Sequence, residues 1–398
     1  MLTNSNMRRS YKILYLAFLC SALLWSCGKE TGPIPESAKV VPPVVVNPAT
    51  QFTHIFKTGG DGYSCFRIPA IIKTKAGTLL AFAEGRKNDC SDEGNIDLVV
   101  KRSSDNGKTW SALSVIWSDG DNTCGNPAPV VDQNTGKIHL LMTWNLGTDD
   151  ISTINAGTSK DTRRVYKTSS SDDGLTWAAV KEITSTTKLS NWGWYATGPC
   201  HGIQITKGTY KDRLVIPCDN IEVGSGRKGY SHVIYSDDAG ESWKIGGVTP
   251  TISLNPNEST VAELSDGKLL LNMRVSNNNN LRMQSTSIDG GLSWTIPASA
   301  PTLVDPVCQG SLTSGLINNQ HTLFFSNPSS INRENMTIKT SIDNGTTWTK
   351  QYTVFSGLAG YSDLALISDT QIGILYEAGT SKYWDGIAYK TVNIADIK

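Results

Sequence analysis

Two glycine-rich segments, five histidines and eight cysteines offer chemistry in this 398-residue chain, and each fails on spacing or context. Gly224-Ser225-Gly226-Arg227-Lys228-Gly229 matches the G-x-G-x-x-G pattern of dinucleotide sites. That pattern works only where a helix follows to receive the pyrophosphate, and here the strand-like run YSHVIYS follows. Gly107-Lys108-Thr109 imitates the end of a phosphate-binding loop, but Arg102 stands where its opening glycine belongs. The histidines are scattered without His-Glu-x-x-His and the cysteines without Cys-x-x-Cys, so no metal site is expected. What remains is a set of arginine, carboxylate and tyrosine positions far apart in the chain. They are Arg67 in FRIP, Arg86 in EGR, Asp92 in SDEGN, Glu258 and Arg274 in 255–274, Arg333 in 326–345, Tyr361 in GLAGYSDLALI and Glu377 in ILYE. Guanidinium groups grip anions, carboxylates move protons, and a phenol becomes a nucleophile once deprotonated. Such groups act together only if the fold gathers them.

Internal repeats say what that fold is. The pattern Ser-x-Asp-x-Gly-x-[Thr/Ser]-Trp occurs at 103–110, 170–177, 236–243, 287–294 and 341–348, so five of the eleven tryptophans hold one fixed position. Successive copies are 67, 66, 51 and 54 residues apart. Each lies between strand-like runs such as IDLVVKRS and HVIYS, which predicts a hairpin turn set by Asp and Gly with Trp plugging the sheet beneath. Repetition of strands at a period of about 50 residues points to an all-β, six-bladed β-propeller with four antiparallel strands per blade, one blade lacking the box. The Asp and Trp of the boxes are therefore read as structural. A propeller brings the inner strands of different blades to one axis, which is what the scattered arginines require.

The boxes resemble the Asp boxes of sialidases, a signal for fold more than for function. The FRIP, EGR and SDEGN segments and those around Glu258, Arg274, Arg333 and Tyr361 resemble, in order, the catalytic segments of the exo-α-sialidase family. That resemblance implies a three-arginine clamp, Arg67, Arg274 and Arg333, for the carboxylate on the anomeric carbon of a sialic acid, with Glu377 holding Arg67 upright. It implies Tyr361 as nucleophile, Glu258 as its base, and Asp92 as general acid and then base. A carboxylate nucleophile would be repelled by the substrate's own carboxylate, whereas a neutral phenol is not; sialidases are the known exception to the two-carboxylate rule. Two displacements would retain the anomeric configuration. Arg86 matches the position that contacts the 4-hydroxyl. Where relatives have Asp-Pro, this chain has Asn126-Pro127, so the charge expected to pair with Arg86 is missing. The aromatic cluster Asn191-Trp192-Gly193-Trp194-Tyr195 reads as a loop lining the rim or as core. The implied substrate is a terminal sialic acid on a glycan, with no cofactor and a monomeric enzyme. A trans-sialidase, an anhydro-forming or deaminated-sialic-acid-preferring sialidase on the same site, or a non-catalytic glycan-binding propeller, are the alternatives.

Composition agrees with this reading. Thirty-six basic and 36 acidic residues balance, with no basic run, which argues against nucleic acid as partner. Arg8, Arg9 and Lys12 precede the apolar run 13–25, the pattern of a secretory signal, and Leu24-Trp25-Ser26-Cys27 resembles a bacterial lipobox. Residues 1–26 are thus expected to be a signal peptide, Cys27 the lipidated residue, 27–50 a Pro- and Val-rich tether, and 51–398 the propeller. The expected location is outside the cytoplasm, as a membrane-anchored lipoprotein facing the periplasm or the cell surface of a bacterium and touching the membrane only through the lipid. Export permits disulfides. Cys200 and Cys218 flank adjoining strands and can pair, free buried thiols being the alternative.

Overall fold

The computed structural model describes residues 52–226, 228–250, 252–276 and 280–398. The segments expected to be signal peptide and tether, with Cys27, lie outside the described residues. Among the described residues regular structure is nearly all strand; two short α-helices, Ile151–Ala156 and Thr184–Thr187, sit in connections.

The strands follow one another as antiparallel meanders of four. The first is Cys65–Lys73, Leu79–Arg86, Ile96–Ser103 and Ser114–Trp117. The second is Thr123–Val131, Ile138–Asn145, Arg164–Ser170 and Lys181–Glu182. The third is Trp192–Thr197, Leu214–Glu222, Gly229–Ser236 and Lys244–Val248. The fourth is Pro256–Glu263, Leu269–Val275, Leu281–Ser287 and Ala298–Val304. The fifth runs Ser311–Ile317, Gln320–Pro328, Glu334–Ser341 and the start of the long strand Lys350–Leu366. The sixth begins in the second half of that strand and continues through Gln371–Gly379 and Gly386–Asn393, then takes its outer strand, His54–Lys57, from the other end of the domain.

This is an all-β fold consistent with a β-propeller, although hydrogen bonding divides it into four sheets rather than six. The 17-residue strand Lys350–Leu366 serves two meanders and fuses them into seven strands. A single parallel pairing, Ile96 with Thr123, joins the first two into eight. The composite sixth meander also explains the missing box. Every box connects a third strand to a fourth, and here those two strands are not consecutive in the chain.

Burial is graded across each meander. Inner strands such as CFRIPAIIK and TCGNPAPVV are buried on both faces, whereas outer ones such as SVIW and KE are largely exposed. The apolar core lies in clusters between successive meanders: Leu80, Phe82 and Val100 of the first meet Leu140 and Met142 of the second, for example. Box tryptophans wedge into these seams. Trp177 packs edge-on to Phe82 and Trp243 against His139, each belonging to the preceding meander.

Candidate active site

Five inner strands break their ladder where functional side chains are needed. Register skips between Arg67 and Ala70, Gly125 and Ala128, Trp192 and Tyr195, Pro256 and Ser259, and Ala359 and Ser362. A bulge adds a residue to one strand, frees backbone groups from pairing and re-aims the neighbouring side chains. At these five breaks stand Arg67, Asn126, Trp194, Glu258 and Tyr361, and all of them line one cavity of about 310 Å³. Arg86, Asp92, Arg274 and Arg333 line it as well, so the structure gathers these sequence-selected positions.

Glu377 is wholly buried behind that wall. Its Oε1 accepts hydrogen bonds from Arg67 Nε at 2.6 Å and the Ile68 backbone N–H at 3.1 Å, and its Oε2 accepts from the Tyr361 N–H at 3.0 Å. One carboxylate therefore satisfies two bulges on different meanders while pairing an arginine. Ile68 sits at φ +59°, an unfavourable conformation for a β-branched residue that costs about 1–3 kcal/mol. The hydrogen bond to Glu377 helps hold it there.

On the opposite side, Tyr361 Oη donates to Glu258 Oε1 at 2.5 Å. Arg274 Nη1 donates to Tyr361 Oη at 2.9 Å and to Glu258 Oε2 at 2.6 Å. Burial, followed by the Glu258 charge, pushes the Tyr361 phenol well above its ordinary range. The resting phenol is therefore neutral, and its proton already points at a carboxylate. Arg67 and Arg333 flank the Tyr361 ring at 5.4 and 5.7 Å from its centroid.

Asp92 occupies the mouth, its side chain 70% exposed yet ringed by protein atoms, 2.8 Å from Arg86 Nη1. Lost hydration opposes its ionisation, but the Arg86 and Arg67 charges outweigh this and hold the carboxyl below the usual range. A disulfide between Cys65 and Cys90 ties the loop carrying Asp92 to the strand carrying Arg67. Cys200 and Cys218 do not pair: both are free and buried, as are Cys124 and Cys308. They lie in the apolar interior, where burial, the dominant influence on each, keeps the thiols protonated.

Arg86 corrects a second expectation. It has a charged partner in Glu84, whose Oε2 accepts from Nη2 at 2.6 Å and Nε at 3.1 Å. Residues two apart on a strand share a face, so the EGR segment carries its own counter-ion. Asn126 is used otherwise: its backbone N–H donates to Glu84 Oε1, and its side-chain oxygen accepts from Arg163. The aromatic cluster is a strand, not a loop, and it divides. Trp192 and Tyr195 are core, while half-buried Trp194 faces the cavity.

Four wall residues were missed. Glu84 was visible in EGR through its alternation with Arg86. Arg163 is buried with its guanidinium 3.8 Å from the Trp194 ring and bonded to Asn145 and Thr143. Asp219, completely buried, accepts from Asn257 Nδ2 at 3.1 Å; burial and the nearby Glu258 charge push its carboxyl well above the usual range. Tyr383 accepts from Arg333 Nη1 at 2.8 Å. For these three no local pattern exists, since their partners lie far away in the sequence. Among the described residues no cluster of His, Cys, Asp and Glu could hold a metal.

The cavity thus combines clustered guanidinium groups, a phenol hydrogen-bonded to a carboxylate, and a second carboxyl at the mouth. Comparison with known proteins bears on the chain as a whole. The model of the BNR repeat-like domain matches residues 77–374. A sialidase of Bacteroides fragilis is 32% identical over 85% of this chain, which spans only 64% of that relative's length. An exo-alpha-sialidase of Aspergillus fumigatus is 31% identical over 80% of both chains. Among solved structures, the Hadza microbial sialidase Hz136 superposes with a TM-score of 0.79 at 31% identity, over 87% of this chain and 69% of that one. On the family model, the identities and the fold together, the chain belongs to the sialidase family.

Proposed function

We propose that this protein is a retaining exo-α-sialidase, built on a six-bladed propeller, that hydrolyses terminal α-linked sialic acids of glycoproteins, glycolipids or oligosaccharides. The observation that carries the reading is the Tyr361–Glu258–Arg274 triangle, with contacts of 2.5, 2.6 and 2.9 Å, beside Arg67 and Arg333. In this reading Arg67, Arg274 and Arg333 take the substrate carboxylate, and Arg86 with Glu84 faces the ring hydroxyl nearest the mouth. Glu258 removes the Tyr361 proton as the phenolate attacks the anomeric carbon, and Arg274 stabilises the charge that develops on the phenolic oxygen.

Asp92 must protonate the leaving oxygen, yet the Arg86 and Arg67 charges favour its ionised form. The substrate carboxylate resolves this: paired with Arg67, it cancels part of the positive field that keeps Asp92 deprotonated, so binding raises the acid's pKa where it is needed. After departure of the aglycone, the same carboxylate activates water against the tyrosyl intermediate. The chain would act outside the cytoplasm, anchored through Cys27.

Hydrolysis of a fluorogenic α-sialoside tests the reading, with Tyr361→Phe alongside the wild type. The wild type should turn over, and the variant should bind a sialic-acid analogue while losing most turnover. Proton NMR should find the α-anomer of free sialic acid first. Initial β-anomer excludes retention, and an anhydro-sugar or sialylated acceptor would reassign the enzyme to the transfer class.

A further inference from the structure

Tyr361 stands in a bulge, where the sheet ladder no longer fixes it, and yet its oxygen must stay within bonding distance of Glu258 and Arg274 on another meander. The segment that follows it is held from across the fold. Gln309 brackets Ser362: its Oε1 accepts from the Ser362 N–H at 3.0 Å, and its Nε2 donates to the Ser362 carbonyl at 3.0 Å and to the Pro199 carbonyl at 2.9 Å. The Asp363 carboxylate accepts from the Ile71 N–H at 2.8 Å, the His201 N–H at 3.1 Å and Ser311 Oγ at 2.6 Å, and it meets His201 Nδ1 at 2.7 Å. Gln309, Ser362 and Asp363 are at most 1% exposed. Ile71, His201 and Ser311 come from the inner strands, or the connection beside one, of the first, third and fifth meanders.

We propose that Gln309 and Asp363 form an axial clamp that positions the tyrosine, Gln309 being the positioning residue whose loss is most specific to catalysis. Inner strands have no neighbour on their axial edge, so their backbone groups need side-chain partners. The Gln309 amide, donor and acceptor, and the Asp363 carboxylate, an acceptor, supply them, and both act within two residues of Tyr361. Glu377 fixes the Tyr361 N–H from one side, and the clamp fixes the next two residues from the other. Neither clamp residue lines the cavity, so substrate affinity should survive its loss while the attacking oxygen drifts.

The proposal rests on the sialidase reading, and its test separates the two. Gln309→Met preserves volume and removes both hydrogen bonds to Ser362. A drift of about 1 Å costs on the order of 10²-fold in rate, so kcat per folded site should fall between tenfold and a hundredfold, with KM and the Kd of an unreactive sialic-acid analogue within threefold. Calorimetric stoichiometry counts folded sites, which removes misfolding from the comparison. A crystal structure of the variant provides a readout independent of activity: the Tyr361 Oη to Glu258 distance should lengthen. An active wild type with unchanged kcat in the variant, or an unchanged Tyr361–Glu258 distance, overturns the clamp. A wild type inert toward sialosides overturns the functional reading instead, and the crystallographic distance still decides the clamp.

Discussion

The boxes and the bulged inner strands are both sets of repeated irregularities, but they differ in where their partners lie. In each box the partners are local. Asp238 accepts from Ser236 Oγ, the Ser242 N–H and Ser242 Oγ, all within four residues, and the other four boxes repeat the pattern. Such a turn can be written as a short motif and copied from meander to meander. At the bulges the partners are remote: Arg67 to Glu377 spans 310 positions and Tyr361 to Glu258 spans 103. Local irregularities stabilise a repeating scaffold, and remote ones create a single asymmetric site on it.

That contrast predicts opposite phenotypes. Glu258→Gln should reduce kcat about 10²–10⁴-fold, the usual range for losing a general base, with little change in Tm; an equal loss of Tm and activity would place Glu258 with the scaffold. Trp243→Ala should do the reverse. Trp243 is 1% exposed between the second and third meanders, and removing such a ring costs about 3–5 kcal/mol. Denaturant unfolding should register that loss while kcat per folded molecule stays at the wild-type value.

Smaller effects sharpen the comparison through pH. Arg86→Gln removes the strongest charge that holds Asp92 ionised, so the Asp92 pKa rises. Because the acid must be protonated to act, the alkaline limb of kcat/KM should move to higher pH. A limb that stays in place would show that another group sets it. In the boxes the sign concerns stability. Burial works against the Asp238 charge, but hydrogen bonds from Ser242 and Ser236 prevail and hold its carboxyl at about 2, below the unfolded value of about 3.9. Its contribution is present above pH 4 and is lost as pH falls towards 2. Asp238→Asn should therefore lower Tm slightly at neutral pH and flatten its acid dependence; an unaltered acid slope would mean that this carboxyl does not matter.

The same local-versus-remote distinction explains what could be read in the sequence. Box spacing announced repeated four-stranded units because each box closes on itself. It did not announce that Lys350–Leu366 serves two meanders, since strand continuity depends on how neighbours pack. Arginine and tyrosine positions were legible through resemblance, and their gathering followed from the repeat architecture. Arg163, Asp219 and Tyr383 were not legible, because their polar groups find their partners only in the folded chain. Glu84 was legible in principle, because alternation on one strand places it beside Arg86. The sulfurs stayed open between pairing and free thiols for a related reason. Adjoining strands bring Cys200 and Cys218 near each other in sequence terms, but the pair that bonds, Cys65 with Cys90, joins a strand to the acid-bearing loop.

The most direct measurement is chemical trapping of the intermediate. A fluorinated sialosyl fluoride forms the glycosyl-enzyme but slows its hydrolysis, and peptide mass spectrometry then locates the sugar. The adduct should lie on Tyr361, with one sugar per chain and none in Tyr361→Phe. An adduct on Glu258 or Asp92, or turnover of the sialoside with no adduct at Tyr361, would contradict the tyrosine-nucleophile account.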